Sequence, residues 1–197
     1  MKHSSTNIYM VRHGQTDWNL ERRIQGHTDI PLNDTGRAEA SALAQALTNI
    51  PFATCYSSDL KRAFETAQIL ITKHQLDIEI DLRLRERYFH DWEGKLFADF
   101  YHPKSEHGPL VESEDVLCDR VFDCFNDLVK RDNKGPILVV SHGGVMRNIV
   151  AHLLNIKHLR NEVSTTNTAM IQIGYENGQW ILKESQGIRL PENSLVT

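Results

Sequence analysis

Cysteine is scarce in this chain, and what there is builds no framework. Cys55, Cys118 and Cys124 are odd in number and show no C-x-x-C spacing. A disulfide scaffold and a thiolate zinc site are therefore not expected, and a reducing, cytoplasmic setting is. No apolar run approaches membrane-spanning length, and the start MKHSSTNIYM lacks the apolar core of a secretory leader. No membrane partner is expected. Neither sign of charge dominates either: 22 Lys and Arg stand against 26 Asp and Glu, a formal net charge of −4. Bulk charge gives no attraction for nucleic acid, so any anion site must be built locally. Repeats, low-complexity blocks and linkers are also missing. The 197 residues, 40% of them hydrophobic, read as one domain of residues 1–197 with loose ends at 1–6 and 188–197. Ten histidines are present, but no H-E-x-x-H or other ligand spacing orders them, so no metal site is expected.

What is there alternates between strand and helix. Asn7–Val11, Ala53–Tyr56, Ile78–Ile80 and Ile137–Val140 read as strands. Helices are expected over Gly36–Thr48 behind Asn33 or Asp34 as cap, over Leu60–His74 behind Ser57-Ser58-Asp59, over Ser113–Lys130, and over Val145–Leu154. In the third of these, Val116, Val121, Phe125 and Leu128 are expected inward. Ala169–Tyr175 and Trp180–Glu184 flank Asn177-Gly178 and read as a hairpin. The pattern predicts an α/β fold, a three-layer α/β/α sandwich around a mostly parallel mixed sheet.

Two apolar strands end in the same chemistry, Val11-Arg12-His13-Gly14 and Val140-Ser141-His142-Gly143-Gly144. Parallel strands of an open sheet send their carboxyl ends to one side, where ligands bind, so His13 and His142 are expected to share a crevice. Gly143 and Gly144 open a helix whose free N–H groups and positive dipole end suit an anion. Arg62 falls in the first turn of another helix, where a cation is disfavoured unless an anion waits for it. A serine-hydrolase elbow is excluded, because Val139 occupies the first glycine position of G-x-S-x-G. Arginines, imidazoles and a helix N-terminus suit a phosphoryl group: guanidinium forks match its oxygens, and a neutral imidazole can accept it. Glu86, Asp91 and Glu93 are the candidates for an acid at the leaving oxygen.

These residues together resemble the histidine phosphatase superfamily, the phosphoglycerate-mutase-like family. The resemblance rests on Arg12-His13-Gly14 with Trp18-Asn19, Arg23-x-Gln25-Gly26 and Asp29-x-Pro31-Leu32. It continues through Ser57-Ser58-x-Leu60-x-Arg62-Ala63-x-x-Thr66-Ala67, Leu84-x-Glu86, Trp92-Glu93-Gly94, Glu112-Ser113 and Ser141-His142-Gly143-Gly144, in family order. It implies His13 as a phosphate-accepting nucleophile, with Arg12, Arg62 and His142 around the phosphoryl oxygens. It implies Glu86 as the acid and then the base, and Asn19, Gln25, Gly26 and Gly143 as phosphate- or substrate-binding positions. The substrate it implies is a small phosphorylated metabolite, with no metal or other cofactor, and it leaves the oligomeric state open.

Three positions depart from the family pattern. Gln15 stands where Glu is usual, Asn33 where Thr is common, and His90 where Gly is usual in the turn before Asp91-Trp92. His90 is expected either to reshape the loop behind Glu86 or to face solvent, the second being favoured. Asp91, Trp92 and Glu93 are expected to be structural. The short stretch between Glu86 and His142 resembles compact phosphatases of broad specificity rather than the mutases, whose longer insertion encloses the phosphorylated intermediate. Residues Leu96–Glu112 would form a specificity lid. Phosphoglycerate mutase chemistry, and a catalytically silent phosphate-binding module, are the alternative readings.

Overall fold

The computed structural model describes residues 6–131, 134–157 and 161–191. Six strands form one sheet: β1 (Thr6–Arg12), β2 (Thr54–Ser57), β3 (Ile78–Ile80), β4 (Ile137–Ser141), β5 (Ser164–Glu176) and β6 (Gln179–Arg189). Their spatial order is β3-β2-β4-β1-β5-β6. β3, β2, β4 and β1 run parallel to one another, β5 is antiparallel to β1, and β6 is antiparallel to β5. Among the described residues six α-helices accompany them: α1 (Asp17–Leu20), α2 (Asp34–Leu47), α3 (Lys61–Leu70), α4 (Phe97–Phe100), α5 (Glu114–Lys130) and α6 (Gly143–Leu153).

Strand alternation sorts the core into two faces. Ile8, Met10, Ile137 and Val139 pack with α5 and α6, through Leu117, Val121, Phe125, Val145 and Ile149. Val11, Leu138 and Val140 turn the other way and meet Ala44, Leu47, Ala63, Ala67 and Leu70 of α2 and α3. The sheet is thus covered on both sides, and all five residues of β4 are buried, as a central parallel strand requires. A third, smaller cluster of Ile24, Phe89 and Phe100 sits under the connection that carries α4.

Several boundaries shift from expectation, each for a local reason. Helix α5 starts behind Ser113, whose side chain caps it, but Val116 is 55% exposed and Leu117, Cys118 and Cys124 take the inward places. The inward row therefore runs through Leu117, Val121 and Leu128, one residue away from the row that begins at Val116. No side chain of Ser57, Ser58 or Asp59 caps α3. The Lys61 N–H donates instead to Asp29 Oδ1 at 2.7 Å, while Asp59 pairs with Arg85. The helix ends at Leu70, followed by a 3-10 turn over Ile71–Lys73. Helix α6 begins two residues before Val145, at Gly143. The hairpin turn at Asn177 and Gly178 has φ of 50° and 83°, the left-handed pair of a type I′ turn. Its second strand runs on to Arg189, past the expected loose end after Gly187. Residues 1–5 and 192–197 lie outside the described residues.

Candidate active site

Backbone pairing at the sheet's carboxyl edge sets the two histidines side by side. The His13 N–H donates to Ser141 O at 3.0 Å and the Ser58 N–H to Val140 O at 3.1 Å, so β1, β2 and β4 end level with one another. The rings of His13 and His142 then lie 5.2 Å apart, edge toward face. Gly14 can only be glycine, since a Cβ would stand 2.4 Å from the Gly36 carbonyl oxygen. That close approach lets the Gly14 N–H reach Thr66 Oγ1 at 3.1 Å, while the Thr66 hydroxyl donates to Arg62 O.

The protonation pattern follows from these contacts. His13 Nδ1 lies 2.7 Å from the Gly14 carbonyl oxygen, so Nδ1 carries the proton and Nε2 keeps a lone pair that has no hydrogen-bond partner among the described residues. Burial, then the cations Arg62 and Arg12, hold the His13 pKa well below the usual imidazole value. His142 shows the reverse tautomer: its Nδ1 accepts from Arg62 Nε at 3.3 Å, which leaves Nε2 protonated, buried and without a partner. Its pKa is also held far down, by burial and then by Arg62. Arg12 donates to the Thr165 carbonyl and hydroxyl, and its Nε is buried without a partner. Burial brings its pKa down to about 10, so it stays cationic at neutral pH. An electrophile's oxygens would thus find an unused imidazole N–H and an unused guanidinium N–H beside an unprotonated imidazole nitrogen.

Arg62 lies in the first turn of α3 and lines the pocket, with part of its guanidinium used on the protein. It is fully buried, and its guanidinium donates to Thr28 O at 2.8 Å, Gly26 O at 2.7 Å and His142 Nδ1. Three of its five N–H groups are thereby used on the protein, leaving two for a ligand. The cation at a helix start is compensated by backbone carbonyls as well as by any anion. Gly26 has φ +51°, and a Cβ there would stand 2.1 Å from Glu93 Oε1. Glu93 is structural as expected: it accepts the N–H groups of His27, Thr28 and Phe89 and the Thr28 hydroxyl. Asp91 is outward-facing, with a side chain 85% exposed.

Glu86 reaches the same pocket from the Leu84–Glu86 turn. Its Oε1 accepts the Arg87 N–H at 2.8 Å and its Oε2 the Gly144 N–H at 2.9 Å, so the carboxylate sits on the first turn of α6. Ser141, quoted in the sequence only as part of its motif, and Arg120, which the sequence did not single out, hold this turn. Ser141 Oγ donates to Leu84 O at 2.7 Å. Arg120 donates to the carbonyls of Arg83, Arg85 and Glu86 and forks onto the Glu112 carboxylate. Asn19, Gln25, Gly26 and Gly143 all line the pocket, as do Arg12, His13, Arg62 and Glu86; the cavity is about 350 Å³. Asn19 Oδ1 is occupied by the Thr16 N–H and Asn167 Nδ2, which leaves its own amide N–H groups for a ligand. Asn167 belongs to an irregular stretch of β5 in which Thr168 has φ +53°, and both residues donate to the His13 carbonyl.

The departures from the family pattern have plain outcomes. Gln15 Oε1 accepts from Asn33 Nδ2 at 3.1 Å, so two of the three departures face each other. His90 keeps a left-handed backbone, φ +53°, with its ring against Tyr88 and Nδ1 by Asp91. In the expected lid, Phe97 and Tyr101 reach the cavity. Phe100 is buried with His107 stacked on it at 3.7 Å.

The sequence matches the family described as the histidine phosphatase superfamily (branch 1) over residues 8–186. The chain belongs to that superfamily. It is 35% identical over 191 residues to phosphoglycerate mutase-like protein 4 of Arabidopsis thaliana, covering 89% of this chain and 83% of that one. It is 33% identical over 169 residues to glucosyl-3-phosphoglycerate phosphatase of Mycolicibacterium vanbaalenii, covering 76% and 74%. Among solved structures, a mycobacterial glucosyl-3-phosphoglycerate phosphatase in complex with VO3 superposes with a TM-score of 0.82 at 29% identity, covering 90% of this chain and 97% of that one.

Proposed function

We propose that this chain is a phosphatase of small-molecule phosphomonoesters that works through a phosphohistidine on His13. The observation that carries this is the tautomer pair: an unprotonated His13 Nε2 beside a protonated, unpartnered His142 Nε2. His13 Nε2 attacks phosphorus, the bond to the leaving oxygen breaks, and Glu86 gives that oxygen a proton. Arg12, His142 and the two remaining Arg62 N–H groups take the charge that builds on the other oxygens. Water then attacks the phosphohistidine and passes a proton to the Glu86 carboxylate, and inorganic phosphate leaves. Guanidinium groups do the charge neutralisation that a metal ion does elsewhere, so the proposal includes no cofactor. Three free, buried cysteines support a cytoplasmic setting. Burial pushes the Cys55 and Cys124 thiols up to about 12.

The relative named phosphoglycerate mutase-like supports one other reading, return of the phosphoryl group to a second acid. One experiment separates these. Purified protein in EDTA should hydrolyse 4-nitrophenyl phosphate, be inhibited by vanadate, and yield an acid-labile phosphoenzyme that His13→Ala lacks. Activity that chelation abolishes and a divalent ion restores would overturn the metal-independent mechanism. A phosphohistidine surviving in His13→Ala would overturn the nucleophile. Efficient conversion of 3-phosphoglycerate to 2-phosphoglycerate with a trace of bisphosphoglycerate would favour the mutase.

A further inference from the structure

The irregular stretch of β5 lies directly behind His13. Its pairing with β6 breaks between Thr165 and Met170, and within the break Thr168 holds φ +53°. A β-branched residue rarely adopts that conformation, so the backbone is strained there and persists because its surroundings hold it. The strained turn allows a convergence that a regular strand forbids. In a regular strand side chains stand perpendicular to the sheet while N–H groups lie in it. Here the Thr168 N–H and the Asn167 side chain meet one acceptor, the His13 carbonyl, at 3.4 and 3.3 Å. Asn167 Nδ2 also donates to Asn19 Oδ1 at 3.1 Å, so one amide with two N–H bonds joins the end of β1 to α1. Asn167 faces a separate cleft beside Glu39, Leu43 and Gln186, whereas His13 and Asn19 line the catalytic cavity.

The two ends of this bridge are held unequally. Strand β1 is paired on both sides, and the N–H groups of His13 and Thr168 fix its end without help from Asn167. Helix α1 is a single turn with no buried residue, so packing does little to place it. The Thr16 N–H and hydroxyl also donate to Asn19 Oδ1, but they cap the same turn and move with it. Among the described residues, the side chains of α1 bond to the rest of the fold at two points. Asn167 donates to Asn19, and Asn33 donates to Asp17 at an exposed position. Losing the Asn167 amide therefore falls mainly on Asn19. We propose that Asn167 is a positioning residue: it ties α1 to the strand that carries His13 and so holds the Asn19 amide N–H groups toward the phosphoryl group, without touching the substrate. This rests on the phosphatase reading and adds a residue to its machinery.

A double-variant cycle of Asn167→Leu and Asn19→Ala tests this, read as calorimetric affinity for inorganic phosphate and as kcat/KM for 4-nitrophenyl phosphate. Leu keeps the branched shape of the side chain and removes both N–H donors. Asn167→Leu alone should weaken phosphate binding and lower kcat/KM by about 3- to 10-fold each, the worth of one hydrogen bond. With Asn19 already replaced by Ala, the same change should cost less than about 2-fold. A merely structural role would instead lower the urea midpoint and cost the same affinity in both backgrounds. Asn167→Ser, too short to bridge the two acceptors, should repeat the pattern if the Leu variant does not fold. If the phosphate affinities show this coupling but wild type hydrolyses no ester, the positioning role stands and the phosphatase reading falls. Equal losses from Asn167→Leu in the two backgrounds would overturn the proposal. So would an Asn19→Ala variant that binds phosphate as wild type does, or an Asn167→Leu variant with unchanged phosphate affinity.

Discussion

Replacing Glu86 by Gln separates the chemistry of this site from its architecture. The carboxylate accepts two backbone N–H groups, from Arg87 and Gly144. Gln keeps one acceptor oxygen and turns the other position into a donor that faces an N–H. One hydrogen bond is therefore lost at a partly exposed position where water can replace it, which costs about 1 kcal/mol, the low end for an unmade bond. Against a total stability of about 5–15 kcal/mol the variant remains folded. Catalytically the loss should be far larger. A general acid contributes about 10²–10⁴-fold, or roughly 3–5 kcal/mol of barrier. Alkyl phosphates such as glycerol 3-phosphate should show that full loss in kcat/KM. With 4-nitrophenyl phosphate the leaving oxygen needs little protonation, so His13 is phosphorylated nearly normally while the second step, which needs Glu86 as base, stalls. Rapid quench of Glu86→Gln with the aryl substrate should therefore show a burst of nitrophenolate and accumulated phosphoenzyme. Wild-type rates on alkyl phosphates would refute the assignment, and Asp91 or Glu93 would not rescue it, since Asp91 faces solvent and Glu93 is committed to backbone N–H groups.

Three further outcomes follow from the geometry. Arg120→Met should lower kcat on alkyl phosphates about 10- to 100-fold by loosening the Glu86 turn, with KM little changed; a change in KM alone would refute a positioning role for the clamp. His13 and His142 have depressed folded pKa values, so the stability tied to their neutral forms is complete above the unfolded value of about 6.5 and is lost as pH falls below it, by up to about 1.4 kcal/mol per pH unit for each. Urea midpoints between pH 7.5 and 5 should fall less steeply in a His13→Gln/His142→Gln double variant than in wild type, and equal slopes would contradict the buried neutral pair. His90→Gly should raise stability by about 0.5–1 kcal/mol by relieving a left-handed φ, seen as a Tm increase of about 1–4 °C; a decrease would mean that the Tyr88 contact outweighs the strain.

Much of the architecture was legible because the physics that sets it is local. Five buried residues in succession mark β4 as central, Asn177-Gly178 can hardly be anything but a tight hairpin, and matching His-Gly strand ends lead to one crevice. The misses are places where a distant partner wins. Asp29 reaches α3 from a loop far earlier in the chain and displaces the Ser-Ser-Asp cap. Arg120 looks like any polar residue on an amphipathic helix, yet it binds three carbonyls of the turn that presents Glu86. Thr165 and Asn167 sit in an irregular strand whose alternation gives no sign that they hold Arg12 and His13.

Arg62 shows what a local conflict does and does not reveal. A cation in the first turn of α3 is unfavourable there, and that was a sound sign that the side chain has a task elsewhere. Its task is shared: it holds the Gly26–Thr28 loop by two carbonyls and fixes the tautomer of His142, and only its remaining donors face the cavity. The same holds for Gln15 and Asn33. Each departs from the family pattern when read alone, yet an amide oxygen facing an amide nitrogen forms a bond between the helix cap and the turn after His13. Neither residue predicts the other, because 18 positions separate them along the chain and only the fold makes them neighbours. Sequence pattern therefore picked out Arg12, His13, Arg62 and Glu86, which the fold brings to one cavity, because the chemistry proposed there restricts the choice of residue. The groups that orient them can be exchanged in pairs, and they become visible only when the partners are seen together.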